Sequence, residues 1–287
     1  RPDRFHRTCQ VSRLGRMDVS HRDRVYRTQV IVLRRTDFGE ADRLLTVYTP
    51  DRGKLRVIAK GVRKPTSRKS GHVELFSHSE FLVAVGRDLD IVTQAETVEP
   101  FVGLRNDLLR TTYAYYVAEL ADAFTADRDE NRPLFDLIRD AFGWLSDLGI
   151  AAGMLQDYLP LLARYYELHL LGLVGYQPQL FVCVSCQERL EPQVNYMGLA
   201  EGGVLCPQCG RDRPGTTALS LNALKVLRFL QTRDWETCRL LRLSPASQAE
   251  TEGIMGDYIT YYLERRLKSV DFLRRLRQQM ATEAEAL

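Results

Sequence analysis

The chain of 287 residues contains six cysteines, and four of them stand in two Cys-x-x-Cys pairs. Cys183 and Cys186 form the first pair, nineteen residues follow, and Cys206 and Cys209 form the second. Each pair can present two thiolates on one side of a tight turn, and two such pairs can surround one tetrahedral ion. The spacing therefore predicts a four-thiolate zinc site.

Other chemistry is open to the same cysteines. Two disulfides or four buried thiols are the structural alternatives, and an iron-bound redox centre is the functional one. The N-terminal residues lack the apolar stretch of a secretory signal, so a cytoplasmic location is expected, and that compartment disfavours disulfides. Nothing suggests an electron-transfer partner, so zinc is preferred to iron. Because four protein ligands leave zinc no open position, we expect one structural ion.

A second group of residues with a possible binding role is cationic. Between Arg52 and Lys69 eight Lys and Arg residues occur without an acidic residue among them. Lys54 and Arg56 are two apart in a strand pattern, so we expect them on one sheet face, beside a cationic loop, as a track for phosphates. The predicted nucleic-acid-binding residues are Arg34, Arg35, Lys54, Arg56, Lys60, Arg63, Lys64, Arg68 and Lys69.

The charge distribution along the chain agrees with that prediction. The first 98 residues hold 20 Lys and Arg against 12 Asp and Glu, whereas the remaining 189 hold 20 against 25. A basic N-terminal third indicates a polyanionic partner for that third. The alternative is a solvated loop whose charges only maintain solubility.

The cationic residues lie within a series of five short apolar runs that are separated by turn residues. Such a series predicts a small barrel, and the OB-fold is favoured because it is five-stranded and commonly binds single-stranded nucleic acid, although an SH3-like barrel would give a similar pattern. The predicted strands are 29–33, 43–48, 54–59, 79–85 and 90–95.

Beyond Pro100 the apolar period changes from two to that of a helix, and the cysteine pairs interrupt the helical part. We therefore predict an α+β protein, with an N-terminal OB-fold barrel followed by an all-α domain into which a four-cysteine zinc module is inserted. The predicted divisions are a disordered leader or extension over 1–19, the OB-fold over 20–98, the helical domain over 99–180 and 215–287, and the zinc module over 181–214.

The sequence offers little for an active site. Asp88 and Asp90 could hold a divalent metal as in a nuclease, but beside Gly86 and Arg87 they are typical of a β-turn, and no third carboxylate or histidine follows at an interpretable spacing. Phosphate-binding and hydrolase motifs are missing. We expect a non-enzymatic protein, with a metal-dependent nuclease or a helical protein-interaction adaptor as the alternatives.

Three separated stretches, in order along the chain, resemble a known family. VLRRTDFGEADRLLT at 32–46, followed by GKL at 53–55 and KGVRKP at 60–65, resembles the N-terminal domain of bacterial RecO DNA repair proteins. YELHLLGLVGYQP at 166–178 is similar to the family's helix before its zinc knuckle, and RLKS at 266–269 is similar to its C-terminal helix.

The resemblance implies an OB-fold, a helical domain and a zinc module without bond-breaking activity. It also implies binding of single- and double-stranded DNA, annealing of complementary strands, partnership with RecR and single-stranded DNA-binding protein, and help in loading RecA. Such a protein would be cytoplasmic and associated with the nucleoid during repair. For the acidic, apolar-ended tail of single-stranded DNA-binding protein we expect an apolar groove in the helical domain near 158–174, where core packing is the alternative.

Overall fold

Five strands at the start of the chain close a barrel in the computed structural model, which describes residues 24–285. The predicted leader and Cys9 lie outside the described residues. The strands pair in the order β1-β2-β3-β5-β4, and the predicted OB-fold is confirmed. The barrel strands are β1 (Val25–Phe38), β2 (Asp42–Thr49), β3 (Gly53–Ala59), β4 (His78–Ala84) and β5 (Asp90–Glu99).

The length of β1 allows the barrel to close. Its first half pairs with β4 and its second half with β2, and a register shift between Val32 and Arg34 lets the strand bend from one partner to the other. Alternate residues point inward, so Val30, Val47 and Val57 join an apolar core that is at most 1% exposed. The barrel therefore has a complete core of its own.

Helices follow the barrel. The bundle is interrupted after the third helix, as predicted, and none of the described helices is both long and apolar enough to cross a membrane. The main helices are α1 (Leu108–Phe124), α2 (Arg132–Ser146), α3 (Leu155–Leu173), α5 (Leu221–Thr232), α7 (Pro245–Leu263) and α8 (Lys268–Glu285), with a short α6 (Trp235–Cys238).

Helix starts follow the sequence closely because polar side chains cap them. The side chain of Asp107 accepts a hydrogen bond from the Arg110 amide at α1, and Ser220 accepts one from the Ala223 amide at α5. These caps satisfy backbone donors that a helix start leaves free, at a cost of about 1 kcal/mol when removed.

The inserted module contains a three-stranded sheet in the order β7-β6-β8 and one helical turn. Its apolar residues, including Met197 and Val204, belong to the same buried cluster as the helices, so the module packs on the bundle. Its elements are β6 (Asn195–Gly198), β7 (Gly203–Leu205), α4 (Pro207–Gly210) and β8 (Thr216–Leu219).

The barrel and the bundle are in close contact. Ile31, Leu33 and Tyr48 lie on the outside of the barrel and pack into the helical core. At the β2–β3 turn, Gly53 has φ of +60°, and a Cβ there would lie 1.9 Å from the carbonyl oxygen of Asp129. Only glycine fits this approach, which fixes the turn against the segment between α1 and α2.

Candidate metal centre and nucleic-acid interface

Four thiols meet at one point in the module. The sulfur atoms of Cys183, Cys186, Cys206 and Cys209 all lie within 4.8 Å of one another, and those of Cys186 and Cys206 are 3.8 Å apart. Four sulfurs placed about 2.3 Å from a central ion in a tetrahedron would be separated by about 3.8 Å. A disulfide needs about 2.0 Å, and the five described cysteines are free thiols. The four cysteines are positioned to bind a metal ion.

Backbone hydrogen bonds shape both cysteine turns. In the first, the Gln187 amide donates to the Cys183 carbonyl at 2.9 Å, and Gln187 takes φ of +64°. In the second, Cys206 precedes α4, and the Gly210 amide donates to its carbonyl at 2.9 Å. A Cβ on Gly210 would lie 2.6 Å from Tyr196, so a side chain there would push the second turn off β6. The two turns are therefore held facing each other by the module's own backbone.

Cys183 is prepared to act as a thiolate. Burial raises the pKa of its thiol, but hydrogen bonds from the backbone amides of Cys186, Cys206 and Ser185 outweigh burial and lower the pKa to about 6. The Cys206 amide, for example, lies 3.3 Å from the Cys183 sulfur. A thiolate is the form that binds metal. Two other thiols of the cluster shift the opposite way: although a backbone hydrogen bond at Glu188 lowers the pKa of Cys186, hydrogen bonds with the other cysteines raise it to about 12, and a hydrogen bond with Cys206 raises the pKa of Cys209.

A row of side chains crosses the outer face of the barrel. Arg34 pairs with Thr46, and Thr46 pairs with Arg56, so the three residues lie side by side on β1, β2 and β3. Arg34 and Arg56 are exposed. We call Arg34, Thr46 and Arg56 the basic row.

The loop after β3 presents three more cations. Lys60, Lys64 and Arg68 are exposed, and within residues 24–285 no carboxylate pairs with them or with Arg56. We call Arg56, Lys60, Lys64 and Arg68 the unpaired cations.

The loop is anchored to the barrel at both ends. The Gly61 amide donates to the Asp42 carboxylate at 2.7 Å, and Val62 and Val73 are buried in the barrel core. Asp42 was missed at the level of sequence, since no local pattern links it to an amide 19 residues away. The loop therefore holds its cations in a defined place.

Other predicted DNA-binding residues have partners within the protein. Arg35 forms an ion pair with Glu74, and Arg63 lies 3.4 Å from Asp37. The Lys69 ammonium donates to the Val92 carbonyl at 2.8 Å, and burial lowers its pKa. Their contact with nucleic acid stays a prediction, and these internal partners make them weaker candidates than the unpaired cations.

Lys54 points outward like Arg56, but the helical domain covers it. Its ammonium donates to the carbonyls of Asp122 and Thr125, both at 2.7 Å, and to the Asp122 carboxylate at 3.1 Å. The residue is 8% exposed. The expected shared outward direction of the two residues is present, but Lys54 joins the barrel to the end of α1 and is not available to phosphate in this structure.

Asp90 has a structural environment. Its carboxylate accepts hydrogen bonds from the Tyr26 hydroxyl at 2.9 Å and from the Gly86 amide at 3.2 Å. The residue is 5% exposed, whereas Asp88 is exposed. The two carboxylates are thus placed as parts of the β4–β5 turn, in agreement with the turn interpretation of this pair.

The residues around 158–174 are mainly core. Leu159, Leu162 and Tyr166 of α3 are at most 1% exposed. An open groove beside α3 is lined by aromatic rings and by four acidic residues, of which Asp136 and Asp140 pair with Arg139 and Glu236 pairs with Arg239. The acidic residues are Asp136, Asp140, Asp234 and Glu236.

Comparison with known proteins gives matches along both parts of the chain. Residues 24–101 match the family model described as Recombination protein O N terminal, and residues 105–271 match the one described as Recombination protein O C terminal. The chain is 44% identical over 266 residues to the DNA repair protein RecO of Roseiflexus sp. (strain RS-1), covering 92% of this chain and 90% of that protein. It is 37% identical to the protein of the same name from Desulforamulus reducens, over 88% and 95% of the two chains.

Proposed function

Because this chain belongs to the RecO family and has a role in DNA repair and recombination, we propose that it binds single- and double-stranded DNA and anneals complementary strands without enzymatic activity. It acts with RecR to help load RecA onto DNA coated by single-stranded DNA-binding protein. It works in the cytoplasm, on the nucleoid during repair. The proposal of these protein partners rests on the family resemblance, and the proposal of the DNA contacts rests on the cations of the barrel.

The observation that carries the proposal is the set of unpaired cations on a barrel whose core is already complete. Arg56, Lys60, Lys64 and Arg68 are exposed and have no carboxylate partner among the described residues. Cations that neither pair with acids nor pack in a core contribute little to folding. They are available to contact a polyanion, and OB-folds commonly bind single-stranded nucleic acid through a positively charged groove.

Annealing follows from the kind of contact that these cations make. Two DNA strands repel each other through their phosphates, and cations that neutralise phosphates lower that repulsion. Phosphate contacts leave the base edges free, so a bound strand can still pair with its complement. The surface therefore favours encounter of strands without selecting a sequence.

The metal is proposed to be one zinc ion with a structural role. Cys183, Cys186, Cys206 and Cys209 would hold it, and their four thiolates fit the charge and geometry that zinc prefers. A fully coordinated ion has no position for substrate, so the module would stabilise the fold and perform no chemistry.

The proposal is tested by reversing charge on the loop. Substituting Lys60→Glu, Lys64→Glu and Arg68→Glu together should reduce single-strand affinity and annealing. With about four phosphate contacts, log affinity should fall against log salt with a slope near −3, and the triple variant should show about −1, from roughly 0.7 counterions per contact. Fluorescence anisotropy with labelled oligonucleotides measures the slope.

A matched variant separates position from net charge. Lys225, Arg233 and Arg242 are also exposed and lack a carboxylate partner within the described residues, and they lie in the helical domain. Their substitution by Glu changes the net charge equally and should leave the slope near −3. If both triple variants bind and anneal like the parent, DNA follows another path.

Annealing assays with and without magnesium also test the alternatives. Complementary labelled strands should be converted to duplex under both conditions. Fragments that appear only with magnesium would identify a nuclease, which the structural environment of Asp90 disfavours. Neither duplex nor fragments would favour an adaptor that binds protein.

A further inference from the structure

A groove of about 600 Å³ lies where the barrel meets the helical domain. It is bordered by β1, the middle of α1 and the start of α8. Two aromatic residues line it while remaining largely exposed, Tyr115 at 49% and Phe272 at 43%. The volume is in the range of about 300 to 1,000 Å³ that suits pockets for small molecules. We call it the junction groove.

The acidic residues of the junction groove are occupied by the protein itself. The Glu119 carboxylate accepts hydrogen bonds from the amides of Lys268 and Ser269, at 3.0 and 2.8 Å, and so caps the start of α8. The Asp122 carboxylate receives the Lys54 ammonium at 3.1 Å. Neither carboxylate is therefore free to attract a cationic ligand.

The cations of the groove are much less engaged. Arg265 and Lys268 are exposed and have no ion-pair partner in the part of the chain that the structure describes. The Arg34 side chain is 63% exposed and approaches Asp122 only to 3.9 Å. The available charge of the groove is positive, so it fits an anionic ligand.

The junction groove also continues the basic row. Arg34 lines the groove and is at the same time the β1 member of the row that leads across Thr46 to Arg56. A phosphate chain lying on the row would reach the groove at Arg34. Exposed arginines on both sides of the buried Thr46 extend the cationic surface beyond the groove, which favours a polynucleotide over a short peptide as the occupant.

We propose that the junction groove holds one or two unpaired nucleotides of a single DNA strand. Tyr115 and Phe272 stack on bases, and Arg34 and Lys268 contact the flanking phosphates, which adds about 1.4 to the salt slope expected from the four unpaired cations alone. The inference rests on the DNA binding proposed above. In a duplex each base is covered on both faces by its neighbours, so only a single strand can offer bases to these rings. The groove would thus give a preference for single strands that phosphate contacts alone do not provide.

The test removes the two rings without changing charge. A variant with Tyr115→Ala and Phe272→Ala should lose about 10- to 100-fold in affinity for an oligo(dT) strand, since stacking on an aromatic side chain contributes about 1 to 3 kcal/mol per base. Duplex affinity and the salt slope should stay the same, because no phosphate contact is removed. Tyr261→Ala is the matched control, since Tyr261 is 47% exposed and lies outside the groove.

A conservative variant keeps the test valid if the double variant folds poorly. Tyr115→Trp retains an aromatic ring, so it should bind oligo(dT) like the parent, and its added fluorescence should be quenched when a base stacks on it. Full affinity of the double variant for oligo(dT), or an unquenched Tyr115→Trp protein at saturating oligo(dT), would overturn the groove proposal.

The outcomes separate the two proposals. If the ring variant binds single strands like the parent while the Lys60, Lys64 and Arg68 variant does not, the groove proposal is wrong and the DNA-binding proposal stands. If neither variant loses affinity, the groove proposal is wrong and the DNA path over Lys60, Lys64 and Arg68 is wrong as well. If an acidic peptide with an aromatic end quenches Tyr115→Trp and oligo(dT) does not, the groove belongs to a protein partner.

Discussion

The four-cysteine module and the barrel arrange their functional side chains in opposite ways. In the module four thiols converge within 4.8 Å, and the apolar residues around them are shared with the helical bundle. In the barrel the unpaired cations lie on the outer face of β3 and on the loop that follows it, while a separate apolar core fills the interior. The module's thiols therefore converge on one point, whereas the unpaired cations of the barrel are spread over an exposed surface.

This difference indicates where function and stability are coupled. If the module holds its ion, removing one thiol takes away one of the bonds that join its two cysteine turns. Removing an exposed cation from the barrel takes away only what a ligand would contact. Lys54 tests this difference directly, because it is a barrel cation like Arg56 but is buried.

The largest effect is expected in the module. Cys206→Ser should reduce bound metal from about one ion per chain to nearly none, because a tetrahedral site that loses one thiolate holds zinc poorly. Elemental analysis of purified protein measures the loss, and protease digestion should then cut the module before the barrel. Cys238→Ala is the control, since Cys238 is a buried free thiol outside the cluster. A Cys206→Ser protein that keeps a full equivalent of metal would contradict the assignment.

A smaller effect is expected from two neighbouring cations of β3. Lys54→Met should lower the free energy of unfolding by about 2 to 3 kcal/mol, since it leaves the Asp122 carboxylate and two carbonyls without their donor. Arg56→Met should lower it by less than about 0.5 kcal/mol. Urea unfolding measures both values.

The effect on DNA binding should be larger for Arg56→Met than for Lys54→Met, the reverse of the effect on stability. Arg56→Met should reduce the salt slope of single-strand binding by about 0.7, whereas Lys54→Met should leave it unchanged in folded protein. A Lys54→Met protein that is as stable as the parent but binds DNA weakly would show that Lys54 leaves α1 to reach phosphate.

The smallest expected effect concerns the contact between barrel and bundle. His78 of β4 is 6% exposed and meets Phe135 of α2 edge-on. Burial lowers its pKa, Arg139 lowers it further, and Glu99 opposes both. Below pH about 6.5 the unfolded chain takes up a proton that the folded chain refuses until lower pH, so stability is fully present above 6.5 and declines below it.

The pH effect can be assigned by substitution. Unfolding in urea at pH 7.5 and 5.5 should show a loss of at most about 1.4 kcal/mol per pH unit from this histidine. His78→Gln should reduce the loss, with metal content checked at each pH so that release of the ion is not mistaken for it. An equal loss in parent and variant would show that His78 makes no contribution.

Local chemistry explains which features were predictable from sequence. A Cys-x-x-Cys pair brings its own turn, so the convergence of Cys183, Cys186, Cys206 and Cys209 follows from two short motifs and one hairpin. The five strands and the Ser220 cap were likewise predictable, because alternation, turn residues and capping act over a few residues.

Contacts between distant segments were not predictable. Lys54 and Arg56 are both cations on the outward side of β3. They differ in exposure because the Lys54 ammonium donates to the carbonyls of Asp122 and Thr125, which lie 68 and 71 residues further along the chain. Tyr115 and Phe272 meet in one groove although 157 residues separate them in the sequence. Charge and aromatic content indicate a binding protein, but only packing shows which side chains remain free.

The closure of the barrel has a consequence for self-association. β3 and β5 pair through only two residue pairs, and β3 is also contacted at Lys54, which forms a bridge with Asp127 and whose carbonyl accepts the Arg128 amide at 2.9 Å. An uncovered strand edge invites pairing with another chain and aggregation. At Lys54 the segment of Asp127 and Arg128 therefore occupies a backbone position with which a second copy of the chain could otherwise pair.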